Sequence, residues 1–86
     1  MQALARMIHS LMHPTIRQTE ALRIIAARPG LALGELAEAM GSRRDGRSTA
    51  RPLVMALESI GLVARPPLRA TAAGRRWLRA VDALAA

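Results

Sequence analysis

The stretch that decides the fold is Met40–Gly74, "MGSRRDGRSTARPLVMALESIGLVARPPLRATAAG". It opens with four arginines in nine residues, Arg43, Arg44, Arg47 and Arg51, and closes on Gly61-Leu62-Val63, Pro66-Pro67 and Thr71-x-x-Gly74. Between these, Ala50, Leu53, Val54, Leu57 and Ile60 recur at the spacing of one helix face, which predicts a short helix over 49–60 ended by Gly61. Pro52 fits such a helix only in its first turn, where the missing N–H costs no bond, so the cap is placed at Thr49 or a neighbour. Residues 62–65 and 68–71 flank the two prolines and read as two short strands joined by a tight turn, because proline does not sit in mid-sheet. Thr71 has the chemistry of an N-cap for a last helix over about 72–84, whose Trp77, Leu78, Val81 and Leu84 form an inward stripe.

Upstream, proline and glycine divide the chain again. A first helix is expected over 2–12, stopping before Pro14. A second runs from about Thr15 to Arg28 with Ile16, Thr19, Leu22, Ile25 and Ala26 inward, and Pro29-Gly30 ends it. Leu31 and Ala32 leave room only for an extended bridge. A short helix over 33–40 follows, with Leu36, Ala37 and Met40 on one face and Gly41 at its stop. The 86 residues therefore form one domain, with no repeat and no linker long enough to separate a second. The fold class is mainly α (α+β), with about five helices and a two-strand β-hairpin.

Composition narrows the function. Apolar residues reach 51%, much of it alanine, and Trp77 is the one aromatic, so the core consists of thin aliphatic layers and an ordinary catalytic cleft is hard to build. The absence of cysteine excludes disulfides and thiolate zinc sites. No apolar run approaches the ~20 residues of a membrane span, and a cytoplasmic location, on the nucleoid when bound, is expected. The segment "MQALARMIHSLMH" has no acid, as transit peptides do, but its single arginine and the spacing of Leu4, Met7, Ile8 and Leu11 suit a packed helix.

All thirteen basic residues are arginine and the net charge is +7. Residues 1–42 hold four arginines against three carboxylates, and residues 43–86 hold nine against three. Half the chain is near neutral and half is cationic, which points first to nucleic acid and then to an acidic protein and an anionic membrane.

Two short helices around a glycine-bounded turn, followed by a basic hairpin, make a winged helix-turn-helix (33–60, then a wing over 62–71). The second helix of such a unit is narrow enough for a major groove. On the helix over 49–60, the side opposite the apolar stripe carries Ser48, Arg51, Met55 and, toward the edge, Pro52; with Thr49 these are the candidate recognition residues. The Arg51 fork suits guanine O6 and N7, and Met55 suits a thymine methyl. Arg43, Arg44 and Arg47, with Ser48 and Thr49, fall where cations, helix dipole and backbone N–H groups favour a phosphate. The other reading of these arginines is a basic loop paired with Glu35 or Glu38. Arg65 and Arg69 bracket the Pro-Pro turn as wing contacts, while Arg75, Arg76 and Arg79 either reach phosphate or solvate the last helix.

The segments "GLALGELAEAMG", "STARPLVMALESIGLV" and "RATAAGRRWL" resemble the winged-helix portion of multiple-antibiotic-resistance-type (MarR-like) bacterial regulators over about residues 15–80. Leu57-Glu58-x-x-Gly61-Leu62-Val63 and Thr71-x-x-Gly74 carry that resemblance. It implies a transcriptional regulator that binds double-stranded DNA as a dimer on a pseudo-palindrome. The wing here is shorter than in those regulators, and their long C-terminal dimerisation helices have no counterpart in this sequence. Dimerisation is expected through Leu4, Met7, Ile8 and Leu11 of the first helix with Trp77, Val81 and Leu84 of the last (72–86); otherwise the first helix (1–13) covers the monomer's own core.

Catalysis has little support. His9 and His13 share a helix face, but no H-E-x-x-H pattern and no cysteine accompany them, so no metal and no cofactor are expected. Single-stranded RNA lacks an aromatic platform to stack on. The competing reading is a winged-helix adaptor whose basic face meets an acidic protein partner.

Overall fold

The computed structural model describes residues 14–41 and 46–85, with side chains in the second stretch from Ala50 onward. Within them the order is α1 (Ile16–Ala27), α2 (Leu33–Ala39), α3 (Gly46–Ser59), β1 (Val63–Ala64), β2 (Arg69–Ala70) and α4 (Ala72–Ala85). The protein is mainly helical with a small two-stranded antiparallel sheet. The helix expected over 2–12 lies outside the described residues.

Local chemistry accounts for each boundary. Thr15 caps α1 reciprocally: its Oγ1 accepts from the Gln18 N–H at 3.1 Å, and Gln18 Oε1 accepts from the Thr15 N–H at 3.0 Å. At α2, Ala32 has no side-chain acceptor, but Glu35 Oε1 accepts from the Ala32 N–H at 2.8 Å. The end of α3 closes with paired reverse bonds, Gly61 N–H to the Glu58 carbonyl (3.1 Å) and Leu62 N–H to the Leu57 carbonyl (3.0 Å). That pattern needs a left-handed residue at its pivot, and Gly61 has φ +78°.

Three expectations are corrected. Helix α3 begins at Gly46, three residues before the expected start, so Pro52 is its seventh residue and not in the first turn. Proline there forfeits one bond to the preceding turn. The apolar register nevertheless continues through it, since Ala50, Val54 and Leu57 are all fully buried, and that packing outweighs the loss. Ile16 was expected inward but is 83% exposed. At 100° per residue it sits about 120° to 180° round the helix from Leu22, Ala21 and Ile25, on the side opposite the buried stripe. Leu84 is likewise 88% exposed, because the inward face of α4 is centred on Gly74 and Leu78, with Trp77 and Val81 half-buried beside it.

The core lies between α1, α2 and α3 and is closed by the hairpin and α4. Leu22, Ile25, Leu36, Val54 and Leu57 are its largest fully buried side chains. In the hairpin Val63 pairs with Ala70 and Ala64 with Arg69. Its tip docks on the α1–α2 connection, where the Gly30 N–H donates to the Leu68 carbonyl at 2.7 Å. Thr71 then joins three elements: its N–H donates to the Leu62 carbonyl (3.0 Å), its hydroxyl donates to the Gly61 carbonyl (2.6 Å), and its Oγ1 accepts from the Gly74 N–H (3.1 Å). Gly74 is buried at that junction against the Leu62 carbonyl, with no room for a Cβ. The position of α4 beside the hairpin is set by this contact.

Candidate nucleic-acid interface

With Ala50, Val54 and Leu57 turned into the core, α3 presents Arg51, Pro52, Met55 and Glu58 to solvent. Arg51, Met55 and Glu58 are spaced four and three residues apart and share one flank. Arg51 makes no hydrogen bond or ion pair among the described residues, and Met55 is 50% exposed. Arg47, Ser48 and Thr49 fall in the first turn of α3, but their side chains lie outside the described residues, as do Arg43 and Arg44 entirely.

The hairpin arginines are both engaged. Arg65 donates from Nε to Glu58 Oε2 at 3.0 Å and from Nη2 to Oε1 at 3.4 Å, a fork-on-carboxylate contact between the start of the hairpin turn and α3. Arg69 bends over its own turn, donating from Nη1 to the Pro67 carbonyl at 3.1 Å and the Pro66 carbonyl at 3.5 Å. Arg69 has no acid partner among the described residues, whereas Arg65 is paired with Glu58. On α4, Arg75 donates to the Ala70 carbonyl at 3.0 Å, so it is held beside β2. Arg76 and Arg79 are exposed and make no contact among the described residues.

Pairing separates two stretches of the chain. In α1 and the connection that follows it, every arginine has an acid: Arg17 with Glu20 (3.5 Å), Arg23 with Asp82 (2.9 Å) and Arg28 with Glu35 (3.2 Å). Asp82 also holds the Arg23 guanidinium above its ordinary pKa by hydrogen bonding and charge. From Ala50 onward, Arg65 is the arginine with an acid partner, while Arg51, Arg69, Arg75, Arg76 and Arg79 have none among the described residues. Both oxygens of Glu35 are taken, by Arg28 and by the Ala32 N–H, which weakens the reading that this acid neutralises the arginine-rich turn.

Glu58 is the member of this surface that sequence reasoning passed over. Its signal was present: an acid on the outward flank of α3, seven residues before an arginine and separated from it by the Gly61 stop. The residues expected to pair two copies divide, with Leu4, Met7, Ile8 and Leu11 outside the described residues and Trp77, Val81 and Leu84 along one side of α4. Trp77 donates from Nε1 to Thr19 Oγ1 at 3.3 Å. Among the described residues no group of three acids, histidines or cysteines is placed to hold a metal, and no helix is long and apolar enough to cross a membrane. No protein-family model, curated protein or solved structure matches the chain.

Proposed function

We propose that this chain is a sequence-reading double-stranded DNA-binding regulator of the winged helix-turn-helix kind. In this reading α2 and α3 are the two helices of the motif, β1 and β2 are a short wing, and the exposed flank of α3 enters the major groove. The observation that carries it is the unequal pairing of arginine. Five guanidiniums on α3, the hairpin and α4 have no carboxylate among the described residues, while those of α1 and its connection to α2 are neutralised. A duplex would supply phosphates to such guanidiniums, and each one neutralised releases counterions. Arg51 is assigned to a base edge, Met55 to an apolar base contact, and Arg69, Arg76 and Arg79 to phosphate. Arg65 is assigned to holding the wing against α3 through Glu58.

The test is fluorescence anisotropy of the protein against duplexes selected from a random library and against a scramble of equal length, each at several salt concentrations. The reading expects specific binding near ~10⁻⁸ M that survives physiological salt, with the scramble weaker by ~10³-fold or more. Weak binding of both, falling steeply and equally with salt, would replace this reading with that of a basic adaptor surface for an acidic protein.

A further inference from the structure

The Arg65–Glu58 contact shows which edge of a guanidinium takes a pair of oxygens here: Nε and Nη2 together, at 3.0 and 3.4 Å. Arg69 and Arg75 leave that edge open. Arg69 donates from Nη1 alone, to the Pro67 carbonyl (3.1 Å) and the Pro66 carbonyl (3.5 Å), and Arg75 donates from Nη1 alone to the Ala70 carbonyl (3.0 Å). Their Nε and Nη2 groups make no hydrogen bond among the described residues, and both residues are exposed. The backbone that holds them is itself fixed. Next to Pro67, Leu68 is buried and its carbonyl accepts from the Gly30 N–H at 2.7 Å, while Ala70 is buried and pairs with Val63. A carbonyl carries no net charge, so the two guanidiniums are oriented without being neutralised.

We propose that Arg69 and Arg75 are phosphate-binding residues set in advance by the hairpin backbone, each giving its Nε–Nη2 edge to the oxygens of one duplex phosphate. The proposal rests on the DNA-binding reading and ranks the arginines within it. A phosphate matches the planar fork as a carboxylate does. An arginine without any contact loses rotamer freedom when it binds, and that cost is subtracted from the gain. Arg76 and Arg79, exposed and without a contact among the described residues, bear it in full. Arg69 and Arg75 have met most of it on folding. Lysine in either place keeps the charge but has no planar fork with which to hold a carbonyl by one nitrogen and two phosphate oxygens by the others.

The test therefore substitutes lysine, which leaves the net charge unchanged. Arg69→Lys, Arg75→Lys, Arg76→Lys and Arg79→Lys are titrated by anisotropy against one scrambled duplex at a fixed low salt concentration. Arg69→Lys and Arg75→Lys are each expected to weaken binding about fivefold or more, and Arg76→Lys and Arg79→Lys to change it by less than about twofold. Since Arg69→Lys and Arg75→Lys could loosen the hairpin, the parent protein supplies a second measurement: arginine modification by phenylglyoxal, mapped by mass spectrometry with and without the duplex. The duplex is expected to protect Arg69 and Arg75 more than Arg76 and Arg79. Equal effects of all four substitutions, or protection of Arg76 and Arg79 with Arg69 and Arg75 still reactive, would overturn the proposal. Selective loss at Arg69 and Arg75 with no preference between duplexes would leave these contacts standing and remove the sequence-reading function. Sequence preference with equal effects of the four would do the reverse, so the two failures are distinguishable.

Discussion

The half of the molecule built from α1 and α2 and the half built from α3, the hairpin and α4 use the same cation for different ends. In the first, Arg17, Arg23 and Arg28 each meet a carboxylate, at 3.5, 2.9 and 3.2 Å. In the second, one arginine in six is matched among the side chains described, and the matched one, Arg65, ties the hairpin to α3. Exposed pairs of this kind contribute ~1 kcal/mol or less to stability. The difference therefore lies less in folding energy than in which charges remain available to a polyanion. A +7 net charge alone would suit any acidic surface, whereas the arginines without an acid among the described residues all fall from α3 onward.

That contrast requires the second half to be rigid, and the Leu62–Thr71–Gly74 junction is where rigidity is most easily broken. Gly74→Ala places a methyl group against the Leu62 carbonyl, and backbone cannot yield as a side chain does. It is expected to cost about 3 kcal/mol despite the better helix propensity of alanine, as measured by urea unfolding. Gly34, on the exposed side of α2 with nothing near its missing Cβ, is the matched control. Gly34→Ala should stabilise by about 0.4–1 kcal/mol. If Gly74→Ala is as stable as the parent, α4 is not seated by this contact.

The next largest effect separates the halves directly. Arg51→Ala is expected to lose about 1–3 kcal/mol of affinity for the preferred duplex and to relax preference at one base pair, with little change on the scramble. Arg28→Ala, which removes a cation already matched by Glu35, should leave both affinities unchanged in the same anisotropy titration. Equal losses from the two variants would show that binding follows total charge and not its placement. Thr71→Val is expected to cost about 1 kcal/mol of stability as a lost N-cap, read by thermal unfolding, with the Gly61 tie lost alongside it.

Glycine and proline made the architecture legible before any coordinates. Gly30, Gly41 and Gly61 all take positive φ at the ends where the sequence placed stops, and Thr71 caps α4 as its chemistry suggested. Sequence reasoning failed where tertiary packing overrides a local rule. Pro52 argued for a helix start that the burial of Ala50 moves to Gly46, and Ile16 and Leu84 were read as core from apolar character although their angular positions lie off the buried stripes. On the candidate site, the asymmetry of charge could be counted along the chain, but its pairing could not. Arg23 meets an acid fifty-nine residues away, and Arg65 meets Glu58 only because Gly61 reverses the chain between them.

Glu58 offers the smallest effect and the most discriminating sign. Its carboxylate shares a flank with Arg51 and Met55, so in the proposed DNA-bound arrangement it would face phosphate and oppose binding unless Arg65 cancels it. Glu58→Gln removes that negative charge and releases the Arg65 guanidinium at once. Affinity for preferred and scrambled duplexes should rise together by a few-fold, with a salt dependence steeper by about one phosphate's worth of counterion release. Stability should fall by ~1 kcal/mol or less, since the pair is exposed. Arg65→Ala alone leaves the carboxylate uncancelled and should weaken both complexes, while combining it with Glu58→Gln should return affinity close to that of the parent. A Glu58→Gln variant that binds DNA more weakly would mean that Arg65 must be held in place to contribute, and the hairpin would then be a contact surface whose geometry matters more than its charge.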